Sequence, residues 1–391
     1  MNVLIAFVAV VASSTQLAAQ RAPQADAPKT QPELATDIHE TVVDVPVTVA
    51  LLDGGKRSGK MIITHFKPAT GDGPFPLVVM NHGRKSSERS EPARFRSLGV
   101  TRYWVRRGFA VIVPTRMGYG ATGIDPDTES SGSSCNERSY ATMSEAAAHQ
   151  IATAIAFGKT LPWIDKTKII IMGQSVGGLA ATVANANNHA GVIAAINSAG
   201  GSGGDPIGRP GKPCAPERLS SVFAAAGKTA KTPMLWFYSQ NDQYWGASLP
   251  RTWHKAYTAA GAKADFVMLP ANGDDGHKQI DNLASWRPTV DAFISKLGFN
   301  PPAIPNAPAP TNFAVIGDAS KLPHVKTEVK SDGYAKFLAL DLPRAFVIAP
   351  TGNWAYFGGP DSLQRALKRC QEAAKQPCKP YAVDDAVVWT P

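Results

Sequence analysis

The amino-acid sequence predicts an α/β fold in which helices flank a mostly parallel sheet. Short apolar segments such as Leu77–Met80 and Ile169–Met172 are typical of strands that are buried on both faces. They alternate with longer segments of helical periodicity, such as the Ala-rich stretch Met143–Phe157, and this alternation indicates βαβ units. Near the start of the fold, Thr41–Leu51 and Met61–Phe66 are predicted strands that a tight Gly-Gly turn separates, so we expect that end of the sheet to be antiparallel.

The other elements continue the same alternation. Further strands are predicted at residues 110–113, 192–196, 234–238 and 265–269. Further helices are predicted at residues 98–107, 177–186, 252–260 and 283–297. The first of these helices ends at Gly108, which is the residue type that most often follows a helix. Together the elements predict one α/β domain over residues 41–298.

Both ends of the chain differ from this domain in composition. Residues 1–19 carry no charge and contain an apolar run followed by small residues, which predicts a secretory signal peptide and a periplasmic or secreted protein. A short membrane-facing or disordered tail is the alternative. Residues 20–40 are predicted as a mobile leader, and the Pro-rich residues 299–311 as a linker. Residues 312–391 are predicted to form a small α+β accessory module, with strands at residues 345–348, 380–383 and 386–389 and a helix at residues 362–374. No segment after residue 19 is apolar enough to predict a membrane span.

The four cysteines predict two disulfide bonds, because an even number of cysteines is typical of exported proteins. Cys370 and Cys378 are close in sequence and form the favoured pair, which leaves Cys135 with Cys214. The second bridge would tie a predicted cap at residues 200–233 to an earlier loop. Other pairings, free thiols and a metal site are the alternatives, but no C-x-x-C spacing is present, so we expect no metal.

The net charge of +9 is concentrated in one segment. Its basic residues are Arg84, Lys85, Arg89, Arg94, Arg96, Arg102, Arg106 and Arg107. We expect a solvated helix face, and the alternative is attraction to an anionic substrate or to an acidic envelope surface. No nucleic-acid-binding motif accompanies the charge, so we expect no nucleic-acid partner.

The candidate nucleophile is Ser175, within the sequence Gly-Gln-Ser-Val-Gly-Gly at residues 173–178. This sequence follows a predicted strand and precedes an Ala-rich helix. So tight a turn forces the serine into a strained backbone conformation, and glycines are needed beside it because side chains there would clash. The turn presents the hydroxyl at the edge of the sheet and at a helix N-terminus. The alternative is a Gly-Ser turn without chemistry.

A nucleophilic serine needs a base, and His277 is the candidate. It lies in a Gly- and Asp-rich loop directly after the predicted strand that ends at Leu269, where a base of this kind belongs. The other histidines that follow Ser175 lie near predicted helices or beyond the linker: His189, His254 and His324. A structural surface histidine is the alternative for His277.

The acid that orients the base is predicted to be Asp242. It directly follows the predicted strand Met234–Tyr238, and so leaves the same edge of the sheet as the serine and the histidine. It also gives the chain order serine, acid, histidine. Asp274 and Asp275 are competitors, but they are so close to the histidine that we expect them to shape its loop.

Two backbone N–H groups are predicted to bind the oxyanion. One belongs to Val176, at the start of the helix after the nucleophile. The other comes from the loop after the strand Leu77–Met80, where Arg84 or Gly83 can donate. His82 precedes the nucleophile and is expected to buttress this loop, with a role as a second base as the alternative.

Aromatic and basic side chains near these strand ends are candidates for a substrate pocket. Tyr119 follows one strand, and Tyr244 with Trp245 follow the predicted acid. All three are predicted to wall an acyl or aromatic pocket, with ordinary loop packing as the alternative. Arg84 and Arg116 are candidates for holding a substrate carboxylate.

These motifs resemble the dienelactone hydrolase-like branch of the α/β-hydrolase superfamily. The residues that carry the resemblance are His82-Gly83, Arg116-Met117-Gly118-Tyr119-Gly120, Gly173–Gly178, Asn241-Asp242 and Gly276-His277. The resemblance implies an α/β-hydrolase fold and a serine esterase or lipase that uses no cofactor. Dienelactone hydrolase itself has a cysteine nucleophile, so the serine points to the esterases of the same branch rather than to a dienelactone substrate.

The predicted function is hydrolysis of a small-molecule or polymeric carboxylic ester through Ser175, Asp242 and His277. One alternative is a serine peptidase of the prolyl oligopeptidase-like type, although no propeller segment precedes the domain. The other is a non-enzymatic binding protein on a hydrolase scaffold, against which the complete set of serine, acid and histidine argues.

Overall fold

An eight-stranded sheet forms the centre of the α/β part of the protein. The structure, a computed structural model, describes residues 33–69, 71–299, 308–340, 343–359 and 361–391. The strands are β1 (Thr41–Ala50), β2 (Lys56–Phe66), β3 (Phe75–Asn81), β4 (Ala110–Thr115), β5 (Ile164–Gln174), β6 (Val192–Ser198), β7 (Met234–Ser239) and β8 (Ala264–Leu269). The predicted signal peptide, most of the leader and residues 300–307 of the linker lie outside the described residues.

The strand order is β1-β2-β4-β3-β5-β6-β7-β8. The strand β2 pairs antiparallel with both β1 and β4, and every pair from β4 through β3 to β8 is parallel. This mostly parallel sheet with an antiparallel edge confirms the predicted α/β-hydrolase fold.

Helices cover both faces of the sheet. They are α1 (Leu98–Val105), α2 (Tyr140–Thr160), α3 (Val176–Ala186), α4 (Pro216–Thr229), α5 (Leu249–Ala259) and α6 (Leu283–Lys296). Successive residues of β5 enter opposite cores: Ile169 and Ile171 pack in the core with α2 to α5, and Ile170 and Met172 pack in the core with α1 and α6. Because both faces are covered, the central strands contain buried apolar runs, such as Leu77–Met80 and Ile169–Met172, and this pattern made them recognisable in the sequence.

The segment 200–233, predicted as a cap, is only partly a cap. Its second half is α4, whose residues Leu219 and Phe223 are buried in the same core as α2 and α3. The first half, residues 200–215, is the irregular part. Residues 216–229 form part of the α/β core because they carry an apolar stripe that packs with α2 and α3.

The C-terminal module has its own sheet. Its strands are β9 (Arg344–Ile348), β10 (Trp354–Gly358), β11 (Lys379–Val383) and β12 (Ala386–Val387), in the order β10-β9-β11-β12 with antiparallel pairing throughout. The helices α7 (Tyr334–Leu338) and α8 (Ser362–Ala374) accompany it. The small α+β architecture agrees with the prediction, although β10 was not predicted. The disulfide Cys370–Cys378 joins α8 to the start of β11, as predicted.

Two neighbouring carboxylates attach this module to the α/β part. Asp384 lies 2.7 Å from Arg106, which follows α1. Asp385 lies 2.8 Å from Arg287 in α6 and 2.8 Å from Arg344 in β9. Both carboxylates are nearly buried, so the module is fixed through desolvated ion pairs rather than suspended on the linker.

The basic segment after residue 84 is neither a solvated face nor a free cationic surface. Arg94 and Arg96 both bind the buried carboxylate of Glu40, and Arg102 binds Asp37 at 2.9 Å. Burial alone raises the pKa of Glu40, but hydrogen bonds from Arg96, the Ala35 N–H and Arg94 outweigh it and hold the pKa below its ordinary value. The last residues of the predicted leader are therefore packed on the α/β part.

The other basic residues of this segment are paired as well. Arg107 binds Asp291 of α6 at 2.7 Å, and Arg84 binds Asp127 at 2.6 Å. Their carboxylate partners are distant in sequence, so the sequence alone showed the charges without their counterions. Among the described residues, no helix is both long and apolar enough to cross a membrane.

Candidate active site

The candidate nucleophile lies at the turn between β5 and α3. Ser175 is buried and has φ +56° and ψ −124°, a combination that costs free energy for any residue with a side chain. The turn is closed by glycines. A Cβ on Gly173 would come within 1.9 Å of the Gly177 carbonyl oxygen, and one on Gly177 within 2.2 Å of the Asn81 oxygen. The motif is therefore required by backbone packing at a strained turn, as the sequence indicated.

The structure brings Ser175, His277 and Asp242 together. His277 Nε2 lies 2.9 Å from Ser175 Oγ, and His277 Nδ1 lies 3.0 Å from Asp242 Oδ2. All three residues are buried. Because a carboxylate only accepts hydrogen bonds, Nδ1 carries the proton and Nε2 presents its lone pair to the serine hydroxyl.

Asp242 is itself held by the backbone. Its Oδ1 accepts hydrogen bonds from the N–H groups of Tyr244 at 2.8 Å and Trp245 at 3.0 Å. The other oxygen is thereby directed at the histidine. The competing carboxylate, Asp275, instead accepts from the backbone N–H of His277 at 2.9 Å and from that of Gln243 at 3.1 Å. It shapes the histidine loop, as the sequence predicted.

Two aromatic rings fix the imidazole. The Tyr244 ring stacks on His277 with centroids 4.0 Å apart, and Trp245 meets it edge-on at 5.3 Å. Trp245 is anchored by its Nε1, which donates to the Ala199 carbonyl at 2.8 Å. Burial, together with the carboxylates of Asp275 and Asp242, raises the pKa of the Tyr244 phenol. These two aromatics lie where the sequence predicted a pocket wall.

The predicted oxyanion donors lie beside Ser175. Val176 is the first residue of α3, so its N–H has no acceptor within the helix. The loop after β3 passes so close that a Cβ on Gly83 would lie 3.0 Å from Ser175 Cβ and 2.6 Å from Gln174 Oε1. A side chain there would displace Gln174 and crowd Ser175, which favours glycine at this position.

His82 supports the loop that follows β3. Its ring is buried and stacks on Phe95 with centroids 3.7 Å apart. Nδ1 lies 2.7 Å from the Gly83 carbonyl oxygen, and Nε2 accepts the N–H of Arg116 at 3.2 Å. Burial, and secondarily the charge of Arg116, hold the pKa of His82 well below its ordinary value. A neutral, fully engaged imidazole is a support for the loop rather than a second base.

The structure contradicts the predicted pocket roles of Arg116 and Tyr119. Arg116 is fully buried, forms an ion pair with Glu129 and donates to the His82 carbonyl at 3.0 Å. Tyr119 donates to the same Glu129 at 2.6 Å. Both residues follow β4 and face inward, so they hold the loop after β3 in place and cannot reach a substrate.

A cavity of about 290 Å³ opens at Ser175. Tyr244 and Trp245 form one side of it, and Val176 lies beside the serine. Arg84 also lines it, but its guanidinium is held by both oxygens of Asp127 at 2.7 and 2.6 Å. Arg84 is therefore committed to a carboxylate of the protein, which argues against its predicted role in holding a substrate carboxylate.

Sequence reasoning missed the other basic residues of this cavity. Arg138 and Arg209 line it from two irregular loops that the predicted disulfide Cys135–Cys214 joins. Both predicted disulfides are therefore present. The predicted cap and this pairing were the sequence signals that connected these loops, because neither loop carries a helix, a strand or a motif. Among the described residues, no group of three or more His, Cys, Asp or Glu side chains could hold a metal ion.

Comparison with protein families agrees with this geometry. Residues 95–275, just under half of the chain, match the model of the dienelactone hydrolase family. The chain contains a dienelactone hydrolase-like α/β-hydrolase domain. The match includes Ser175 and Asp242 and ends two residues before His277. The C-terminal module lies outside the matched residues.

The dienelactone hydrolase-like domain also has distant likenesses among solved structures. The esterase Pf2001 of Pyrococcus furiosus is 12% identical, with a TM-score of 0.45 over 69% of this chain and 95% of its own. Est1E of Butyrivibrio proteoclasticus is 17% identical, with a TM-score of 0.41 over 64% of this chain and 98% of its own. The acylaminoacyl peptidase of Pyrococcus horikoshii is 14% identical, with a TM-score of 0.42 over 66% of this chain and 41% of its own. No curated protein matches the chain in sequence.

Proposed function

We propose that the dienelactone hydrolase-like domain is a serine hydrolase that cleaves carboxylic esters. The observation that carries the proposal is the hydrogen-bonded chain from Asp242 through His277 to Ser175, with contacts of 3.0 and 2.9 Å. A hydroxyl, an imidazole and a carboxylate in this order are the groups that acyl transfer to a serine needs. Acyl transfer by these three groups requires no metal or cofactor.

Acylation begins with the proton of Ser175. Because Asp242 holds the proton of His277 on Nδ1, Nε2 is free to take the serine proton as Oγ attacks the ester carbonyl carbon. The imidazolium that forms lies 3.0 Å from the buried carboxylate of Asp242, which stabilises its charge. The strained serine backbone keeps the hydroxyl directed at the cavity throughout.

The developing oxyanion is proposed to bind two backbone N–H groups. One belongs to Val176, at the N-terminus of α3, where the helix dipole also favours negative charge. The other belongs to Gly83 or Arg84, on the loop that packs against Ser175 and is supported by His82. Because these N–H groups are already positioned by the fold, no reorganisation of the protein is needed when the negative charge develops.

Three further proton transfers complete the reaction. His277 gives its Nε2 proton to the leaving alkoxide, the C–O bond breaks and the alcohol departs, which leaves an acyl group on Ser175. His277 next takes a proton from water, whose oxygen attacks the acyl carbon. The second tetrahedral intermediate collapses, Ser175 recovers the proton from His277, and the carboxylic acid is released.

The size of the cavity supports a small ester as substrate. A volume of about 290 Å³ lies at the lower end of small-molecule sites and suits a short acyl or aryl group. The aromatic side formed by Tyr244 and Trp245 offers a flat apolar surface for such a group.

The test is a comparison of esters with amides. Purified protein is assayed on p-nitrophenyl acetate, butyrate and benzoate, and on aminoacyl p-nitroanilides, beside Ser175→Ala. We expect ester hydrolysis that Ser175→Ala abolishes, and little amide hydrolysis. Faster cleavage of the anilides would make the protein a peptidase, and equal rates for wild type and Ser175→Ala would leave only a binding protein.

We also infer that the protein functions in the periplasm or outside the cell. Two disulfides in a chain whose first residues carry the features of a signal peptide support an oxidising compartment. Cell fractionation followed by N-terminal sequencing of the mature protein tests this. Recovery of the protein from the cytoplasm with Met1 still attached would contradict it.

A further inference from the structure

The loops at the cavity that carry Arg138 and Arg209 are joined at Cys135 and Cys214. These cysteines are 79 residues apart in sequence. The second loop, residues 203–215, lies between β6 and α4 and contains glycines with positive φ, such as Gly203 and Gly211, at +79° and +70°. Such a loop has little intrinsic rigidity, since glycine is the residue with the most conformational freedom. A covalent link to the earlier loop restricts where it can lie.

Both arginines contact this bridge. The Arg209 guanidinium lies against both sulfur atoms, and Arg138 Nη2 lies 3.9 Å from Cys214 Sγ. Arg138 also donates to the carbonyl of Gly132, another residue of the cavity lining. The disulfide is thus the surface on which the two guanidinium groups rest.

Arg209 and Arg138 differ from Arg84 and Arg116 in their carboxylate partners. The latter two are held by Asp127 and Glu129 through paired hydrogen bonds. By contrast, the acid nearest to Arg209 is Asp205 at 3.8 Å, and both side chains are about two-fifths exposed, at 39% and 43%. A guanidinium with so weak a partner retains N–H donors for another acceptor.

We propose that the Cys135–Cys214 disulfide is a positioning element of the active site, which holds Arg209 and Arg138 at the cavity wall so that their N–H groups bind oxygen atoms of the substrate. The proposal rests on the proposed esterase function. In the described part of the chain, the hydrogen bonds to the sulfur atoms of the bridge come from Arg138 and Arg209, and none comes from Ser175, His277 or Asp242. The bridge therefore affects how strongly substrate binds rather than the proton transfers.

The chain provides a matched control, because its second disulfide lies in the C-terminal module. The experiment compares Cys135→Ser/Cys214→Ser with Cys370→Ser/Cys378→Ser in the full-length protein, using p-nitrophenyl acetate well below the unfolding temperature of each variant. We expect the first pair to raise KM at least tenfold, with kcat within threefold and an unchanged pH profile of kcat. The second pair should leave KM within twofold of wild type.

Arg209 provides a second test that leaves both bridges intact. Removal of the Cys135–Cys214 disulfide also lowers the stability of the protein, because this bridge closes a long loop. Arg209, in contrast, is partly exposed, and its substitution is compatible with folding. Arg209→Met should raise KM by at least fivefold, and Arg209→Lys, which retains a donor, should recover part of the difference. If Arg209 had a purely structural role, KM would not rise in Arg209→Met and recover in Arg209→Lys.

The possible failures are distinguishable. If wild type hydrolyses the ester in a Ser175-dependent way but KM is unchanged in both the cysteine pair and Arg209→Met, the positioning proposal is wrong and the esterase proposal stands. Equal effects of the two cysteine pairs on KM would also overturn it. If wild type shows no Ser175-dependent hydrolysis and no labelling by a fluorophosphonate, the proposed function itself fails.

Discussion

Replacing Asp242 by Asn reverses the hydrogen-bond polarity of the proposed triad without removing an atom from it. In the native protein one carboxylate oxygen accepts the N–H groups of Tyr244 and Trp245, and the other accepts Nδ1–H of His277. An amide has one oxygen and one NH₂ group, and only the oxygen can accept two backbone donors. The NH₂ of the asparagine therefore faces His277, whose Nδ1 must become an acceptor.

The consequence appears at the other nitrogen of the ring. With Nδ1 unprotonated, the neutral imidazole carries its proton on Nε2, 2.9 Å from Ser175 Oγ. A protonated Nε2 cannot take the serine proton. The wrong tautomer and the lost carboxylate charge together should lower kcat about 10⁴-fold, or about 5 kcal/mol of activation free energy. KM should change little, because Asp242 does not line the cavity.

Initial rates on p-nitrophenyl acetate near neutral pH measure this effect. The matched control is Asp275→Asn, since Asp275 binds the backbone N–H of His277 at 2.9 Å and does not contact the ring. The control should retain kcat to within about tenfold, because it alters a loop contact and not the tautomer. An Asp242→Asn variant with more than a tenth of the native kcat, or one that is no worse than the control, would refute the assignment.

The remaining predictions concern stability. Glu129→Gln removes the charge that compensates a fully buried arginine and should lower the free energy of unfolding by about 3–5 kcal/mol in urea titrations. Asp385→Asn weakens one ion pair to Arg287 of α6 and one within the C-terminal module, to Arg344, and should cost about 3 kcal/mol. Asp44→Asn, in an exposed pair, should cost less than about 1 kcal/mol, and equal losses for these two variants would contradict the role of burial. The pKa of His82 is held well below its ordinary 6.5, so the unfolded chain binds a proton that the folded chain does not. Stability should therefore fall as the pH drops below about 6.5, by up to about 1.4 kcal/mol per pH unit, and more steeply than in His82→Gln; parallel curves for the two proteins would rule this out.

The strands of the central sheet, and the residues that directly follow them, were predictable from the sequence. Apolar runs such as Ile169–Met172 identify strands because a sheet covered on both faces needs no polar alternation. Ser175, Asp242 and His277 could be brought together because each directly follows such a strand, and the carboxyl ends of parallel strands share one edge. The disulfides followed from the number of cysteines and their spacing.

The contacts of charged side chains could not be predicted in this way. A residue just after a strand can face the cavity or the interior, and Arg116 faces the interior because Glu129 is there to pair with it. Likewise Arg138 and Arg209 lie in loops without periodicity, where sequence gives no direction to a side chain. The short strand Trp354–Gly358 was missed because a five-residue strand next to glycines has too little pattern to be distinguished from a loop.

The ion pair between Arg106 and Asp384 cannot form until long after Arg106 has been synthesised. The aspartate is 278 residues further along the chain than the arginine, which is about 14–56 s of synthesis at about 5–20 residues per second. The neighbouring Arg102 has no such wait, because its partner Asp37 is made first. For that interval the nascent chain carries an arginine at the end of α1 whose counterion does not yet exist. A ribosome-bound chain that stops before residue 384 should therefore differ in surface charge at α1 from the completed protein.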